Sequence, residues 1–184
     1  AWAALEVYYI EKEKSGKGDI VFLKRIIQKL LINFTWWLNR KDPNGNNMFE
    51  GGFLGLDNIG VFNRSAQLQG QVFLEQADGT AWMGMYALNM LDMALEIAVK
   101  DDAFEDTATK FFEQFVFIAE ALNEHGMWND EDKFFYDMLA IHGASPVQLK
   151  IQSVVGLTSL FAVSVIQKKV MDKLQDFKKR SSWF

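Results

Sequence analysis

Residues 79–95 read Gly79-Thr80-Ala81-Trp82-Met83-Gly84-Met85-Tyr86-Ala87-Leu88-Asn89-Met90-Leu91-Asp92-Met93-Ala94-Leu95. Their apolar side chains fall on nearly every side of a helix. A helix without a polar face must be surrounded by other elements, so this stretch predicts an inner helix over Gly79–Lys100. The helices on either side are of the other kind. Upstream, Leu23, Ile26, Ile27, Leu30, Leu31, Phe34, Trp37 and Leu38 form one stripe, with Lys24, Arg25, Gln28 and Lys29 opposite and Asp19 placed as an N-cap. Downstream, Phe104, Ala108, Phe111, Phe112, Phe115, Ile118, Ala119 and Leu122 stripe a helix over about Ala103–Asn123, with Asp101 or Asp102 as its cap.

The alternation extends to both ends. A first helix over about Ala1–Lys14 stops at Ser15-Gly16-Lys17-Gly18. Ser153–Ile166 is again mostly apolar, and Gln167–Phe184 again amphipathic. Between the fourth and fifth helices, Phe134–Ile141 and Val147–Ile151 flank the turn His142–Pro146 and read as a short β-hairpin. Amphipathic helices pack outside and apolar ones inside. The expected fold is therefore all-α: a partial α/α toroid of about three helical hairpins with a long ordered loop and a short β-hairpin. A helical bundle accounts for the stripes equally well. It does not account for the 38 residues of Lys41–Asp78, which carry eleven phenylalanine, leucine, isoleucine and valine side chains without helical periodicity. Loops of that length in compact domains are functional or disordered, and so much apolar surface favours packing and function.

Composition narrows the chemistry. At 184 residues, the chain is within the roughly 100–200 residues of one domain. No cysteine is present, so disulfides, thiolate metal sites and thiol nucleophiles are excluded. His125 and His142 are the only histidines, too few for a histidine-rich zinc centre. The net charge of −5 argues against nucleic acid or an anionic membrane as partner. No apolar run reaches the ~20 residues of a membrane span, and Ala1–Leu5 lacks a signal peptide's basic start, so a cytoplasmic location is expected. The first residue is not Met and the last helix ends uncapped, so both ends read as cut. Asp42-x-Asn44-x-Asn46 begins like a calcium loop, but Asn47 stands at the glycine position and Phe53 at the bidentate glutamate position. No metal or cofactor is expected.

What remains are carboxylates and aromatics on connections: Glu50, Asp57, Glu75 and Asp78 on the long loop, and Trp128, Asp130, Glu131, Asp132 and Asp137 around the hairpin. Paired carboxyls flanked by rings suit glycosidic bond hydrolysis. One carboxyl donates to the leaving oxygen, the other activates water, and aromatic faces stack on the sugar. Loop carboxylates also serve as helix caps or solvated charges, and Asp78 before Gly79-Thr80 fits the cap of the third helix.

Four segments add a resemblance. Phe49-Glu50-Gly51-Gly52-Phe53-Leu54-Gly55-Leu56-Asp57-Asn58 resembles the G-x-D-N region of family-63-type (α/α)6-barrel glycoside hydrolases, the processing α-glucosidase group and its bacterial relatives. Glu75–Met83, Gly126–Asp137 (against a W-D-x-x-x-G-x-F-Y-D hairpin) and Ser153–Leu157 follow in the same order. The resemblance implies that the toroid is a partial (α/α)6 toroid and that residues 1–184 are the N-terminal part of a six-hairpin catalytic domain of an inverting, α-glucosidase-like enzyme. It makes Asp57 the general acid, and Asn58, Phe53, Arg64, Asp78, Trp82, Trp128, Tyr136 and Asp137 substrate-binding residues. Phe53 stands where many relatives carry Glu, and Lys133 replaces the hairpin glycine. The family's general base lies further along the chain than Phe184, so about half a barrel would be inactive alone. The implied partners are an oligosaccharide or glycoside substrate and, through self-association or completion, the rest of the barrel. The competing class is a noncatalytic helical module that binds carbohydrate or protein.

Overall fold

The computed structural model describes residues 1–50, 56, 58–61, 63–66 and 68–183. Among these, about 54% are helical and 11% lie in strands, so the protein is mixed α and β and not all-α as expected. The elements run α1 (Trp2–Ser15), α2 (Ile20–Leu38), β1 (Val72–Glu75), α3 (Ala77–Ala98), α4 (Phe104–Glu124), β2 (Trp128–Asn129), β3 (Phe134–Phe135), β4 (Asp137–Ile141), β5 (Val147–Leu149), a 3-10 helix (Val154–Phe161), α5 (Lys168–Met171) and α6 (Gln175–Ser181).

The first four helices form where their stripes put them, but α3 begins at Ala77, so Asp78 lies inside its first turn and is not the cap expected of it. Gly16 closes α1 in the left-handed conformation, at φ 72°. Asp19 caps α2, its Oδ1 accepting from the Phe22 N–H at 2.9 Å. The third helical hairpin of the expected toroid is not formed. Val154–Phe161 is a 3-10 helix, residues 162–167 are outside any helix, and α5 and α6 are four and seven residues long. Local chemistry explains part of this. Val154, Val155 and Thr158 are β-branched and stiff in a helix. The Ser153 hydroxyl accepts from the Val155 N–H at 3.2 Å, and the Thr158 hydroxyl donates to the Val155 carbonyl at 2.7 Å, so side chains compete for the backbone groups an α-helix would use.

The chain divides into two compact units. One comprises residues 1–37, 85–116 and 163–184. Its centre holds Phe34, whose ring meets Tyr86 at 5.1 Å and Phe111 at 5.4 Å, both edge-on. The Tyr8 hydroxyl and the Lys12 ammonium both donate to Glu96 Oε2, at 2.8 and 2.7 Å.

The other unit comprises residues 38–84 and 117–162 and carries the strands. Its antiparallel sheet has the order β1-β4-β5, with Glu75 opposite Met138 and Asp137 opposite Leu149. Two isolated bridges extend the pairing, Lys41 with Phe49 and Glu50 with Glu75. β2 and β3 form a separate ribbon, Trp128 opposite Phe135. Met48, Phe49, Leu74, Ala77, Ala81, Met127 and Met138 are buried in this unit.

Candidate functional site

The sheet-bearing unit gathers three of the sequence-derived site residues around one guanidinium. Arg64 is 4% exposed and Asp78 0%. Arg64 Nε donates to Asp137 Oδ2 at 2.7 Å. One terminal nitrogen donates to Asp78 Oδ2 and to the Leu56 carbonyl, each at 3.1 Å. The other donates to Asp137 Oδ1 at 3.1 Å and to Asp78 Oδ1. A guanidinium has five N–H groups, and all five are engaged. Burial alone would lower the Arg64 pKa; the hydrogen bonds and charges of Asp78 and Asp137 outweigh it and raise it.

The carboxylates reach further. Asp137 Oδ1 accepts from the Ala77 N–H at 2.9 Å, closing the first turn of α3 from across the sheet, and Asp78 Oδ1 accepts from the Gly79 N–H at 2.9 Å. Both thus sit at the positive end of α3, which offsets the one negative charge that Arg64 leaves uncompensated. The Gln76 side chain donates to the Arg64 carbonyl at 2.7 Å and fixes the arginine's own backbone. The assembly is a buried brace. Arg64 retains no N–H for a ligand.

The brace holds Leu56, the residue before Asp57. Asp57 itself, the expected general acid, and Phe53, an expected subsite residue, lie outside the described residues. The other flank of that segment is also tied. The Phe49 N–H donates to Thr80 Oγ1 at 3.0 Å, the Gln76 N–H to the Phe49 carbonyl at 3.0 Å, and Glu50 forms its bridge with Glu75. Both flanks of residues 51–55, Glu50 and Leu56, are therefore anchored at the start of α3.

The remaining expected residues are placed apart from the brace. Asn58 is exposed. Trp82 is 37% exposed on α3, its ring 5.6 Å from that of Phe161. Trp128 packs against Phe135 at 4.8 Å, and its Nε1 donates to Asp130 at 3.2 Å. Tyr136 is buried, its hydroxyl donating to Asp132 Oδ2 at 3.2 Å and accepting from Gln152 Nε2 at 3.3 Å. Elsewhere, a cavity of about 360 Å³ in the helical unit is lined by Tyr9, Lys12, Asp92, Glu96 and Lys169 among others. None of the expected site residues lines it.

The sequence puts Glu75 on the long loop among the carboxyls suited to glycosidic chemistry, without a role of its own. It is 2% exposed, and burial first, then the charges of Asp42 and Glu50, push its carboxyl up to about 7. Burial, followed by the charge of Asp42, also raises Glu50. A strand signal was available: Val72-Phe73-Leu74 is a β-branched and aromatic run ending in Glu75.

Among the described residues, no helix is long and apolar enough to cross a membrane. No family model matches the chain, and no solved structure does. The chain is 46% identical to an uncharacterized protein of Saccharomyces cerevisiae over 200 aligned residues, which take in all of this chain and 18% of the yeast protein. The chain thus spans less than a fifth of the length of the curated relative it matches.

Proposed function

We propose that this chain is part of a glycoside hydrolase, α-glucosidase-like and inverting, in which Asp57 protonates the leaving glycosidic oxygen. The observation that carries the proposal is the anchoring of Phe49, Glu50 and Leu56, described residues that precede that aspartate. A proton donor must be held within hydrogen-bond reach of the oxygen it protonates. The saturated Arg64 brace grips the carbonyl next to Asp57, and the Phe49–Glu50 flank is tied to Gln76, Thr80 and Glu75. The order of the four motif segments along the sequence supports the same reading. Half-exposed rings of Trp82 and Trp128 suit stacking on the apolar faces of a sugar. In this reading the second carboxylate, which would activate water, is not among the residues of the four motif segments. The proposed setting is the cytoplasm, in keeping with a sequence that contains no cysteine.

The test uses the full-length protein and an aryl α-glucoside together with α-linked glucose disaccharides. Turnover with release of the β-anomer, followed by proton NMR, is expected. Asp57→Asn should lower kcat/KM about 100-fold or more at unchanged thermal stability. Activity within about tenfold of wild type would remove Asp57 from the acid role. Absence of hydrolysis on every glycoside, with binding retained in calorimetry, would favour a noncatalytic carbohydrate-binding module.

A further inference from the structure

The isolated bridge between residues 50 and 75 sets two glutamates directly opposite each other on antiparallel backbone. Side chains so paired leave the same face with Cβ atoms roughly 4.5–5.5 Å apart, and like charges there are destabilising. Water does little to screen this pair. Glu75 is 2% exposed, and Glu50 Oε1 is fully enclosed without a hydrogen-bond partner among the described residues.

The neighbouring charged groups are engaged elsewhere. Asp42, also buried, accepts the Asn46 N–H on Oδ2 at 3.0 Å and the Met48 N–H on Oδ1 at 3.1 Å. Lys41, across the bridge to Phe49, donates its ammonium to Asn47 Oδ1. Asp78 and Asp137 share the single positive charge of Arg64, whose donors are all engaged. Among the described residues, neither Glu50 nor Glu75 has an ion-pair partner, and no set of three His, Asp or Glu side chains is arranged to hold a metal ion. Two adjacent carboxylates in such a place cannot both ionise cheaply; one retains a proton, which its neighbour accepts as a hydrogen bond.

We propose that Glu50 and Glu75 hold one proton between them at neutral pH, and that this proton latches the Phe49–Glu50 segment onto β1. Loss of the proton leaves two buried negative charges across a single bridge, with a third on Asp42 nearby. The upward shift of both carboxyls, chiefly through burial, agrees with this, that of Glu75 reaching about 7. The consequence is a pH-dependent hold on one flank of the glycine-rich segment. The inference rests on the sheet alone and stands whether or not the protein cleaves glycosides.

Infrared spectroscopy of the protein with carboxyl-labelled glutamate tests it. A protonated-carboxyl band is expected at about pH 6, vanishing by about pH 9. That band should be absent in Glu75→Gln and in Glu50→Gln, since either amide replaces the protonated partner. Thermal melting should fall between those pH values in wild type and stay nearly level in Glu75→Gln. If both variants fail to fold, the wild-type band decides alone. Absence of the band at about pH 6 overturns the proposal, as does its persistence in both variants. Millimolar calcium that raises the wild-type melting temperature at high pH, but not that of Glu75→Gln, also overturns it by assigning charge balance to a cation.

Discussion

Arg64 illustrates how far one side chain can be committed. Its guanidinium contacts two carboxylates and a carbonyl, and an ammonium could reproduce neither the planar fork nor the number of donors. Arg64→Met leaves Asp78 and Asp137 as uncompensated buried charges, and a loss of about 3–5 kcal/mol in urea unfolding is expected. Arg64→Lys should recover only part of it. A change below about 1 kcal/mol for the methionine variant would mean that the brace is solvated. Glu75 gives a prediction of opposite character. Its carboxyl rises from an ordinary 4.5 to about 7 in the fold. A raised acid binds its proton more tightly folded than unfolded, so its contribution is complete below about pH 4.5, declines as pH rises, and is gone above about 7. The ceiling is about 3 kcal/mol, because each tenfold gain in proton affinity on folding is worth roughly 1.4 kcal/mol. Glu75→Gln should therefore be more stable than wild type at about pH 8.5 and no more stable at about pH 4.5, in parallel urea titrations. Neither behaviour is visible in sequence. Arg64 and Asp137 are 73 positions apart, with no periodicity joining them, and the resemblance reads each as a substrate-binding residue rather than as half of an ion pair.

At the level of elements, legibility followed the length over which a pattern repeats. The α2 stripe runs for more than four turns and places Leu23, Ile27 and Phe34 in the core, although Leu31, read as part of it, faces water. Apolar character all round α3 announced its burial, which holds for Met83, Ala87, Met90, Leu91, Met93 and Ala94. β1 has only four residues, too few for an alternation to register, and it becomes a strand because β4 offers it four paired positions. The 3-10 helix misleads in a different way. Its sequence is apolar enough for an inner α-helix, but its geometry is set by what it touches. A Cβ at Gly156 would lie 2.2 Å from Phe134 Cε1 and 2.3 Å from the Phe135 carbonyl oxygen, so the turn can approach β3 only where a side chain is missing. Gly156→Ala forces the ribbon and the turn apart, and a loss of about 1–3 kcal/mol is expected. Thermal melting checks it, and an unchanged midpoint would show that the contact is loose.

For the molecule as a whole, the surface matters as much as the core. Residues 154–165 present Val154, Leu157, Leu160, Phe161, Val163 and Val165 to solvent, with Leu160 69% and Val165 82% exposed. Single exposed apolar residues are ordinary, whereas four within the eight positions 154–161 of the sheet-bearing unit are of the kind that marks a contact surface, and Val163 and Val165 expose further apolar side chains on the helical unit. The net charge of −5 opposes association only weakly at physiological salt, where charges beyond about 8 Å are screened. The isolated 184-residue chain is therefore expected to self-associate. Sedimentation velocity at increasing concentration should show species larger than 21.1 kDa, more so in high salt, where apolar association persists and charge repulsion is lost. Replacing Leu160 and Val165 by Lys removes two of the most exposed members without touching a buried residue. That double variant should sediment as a monomer with an unchanged melting temperature. A wild-type chain that stays monomeric at about 0.1 mM, or a double variant that associates as strongly as wild type, would mean that these side chains do not drive the contact. In the second case the exposed Val21, Leu31 and Ile32 of α2 would be the next apolar side chains to replace.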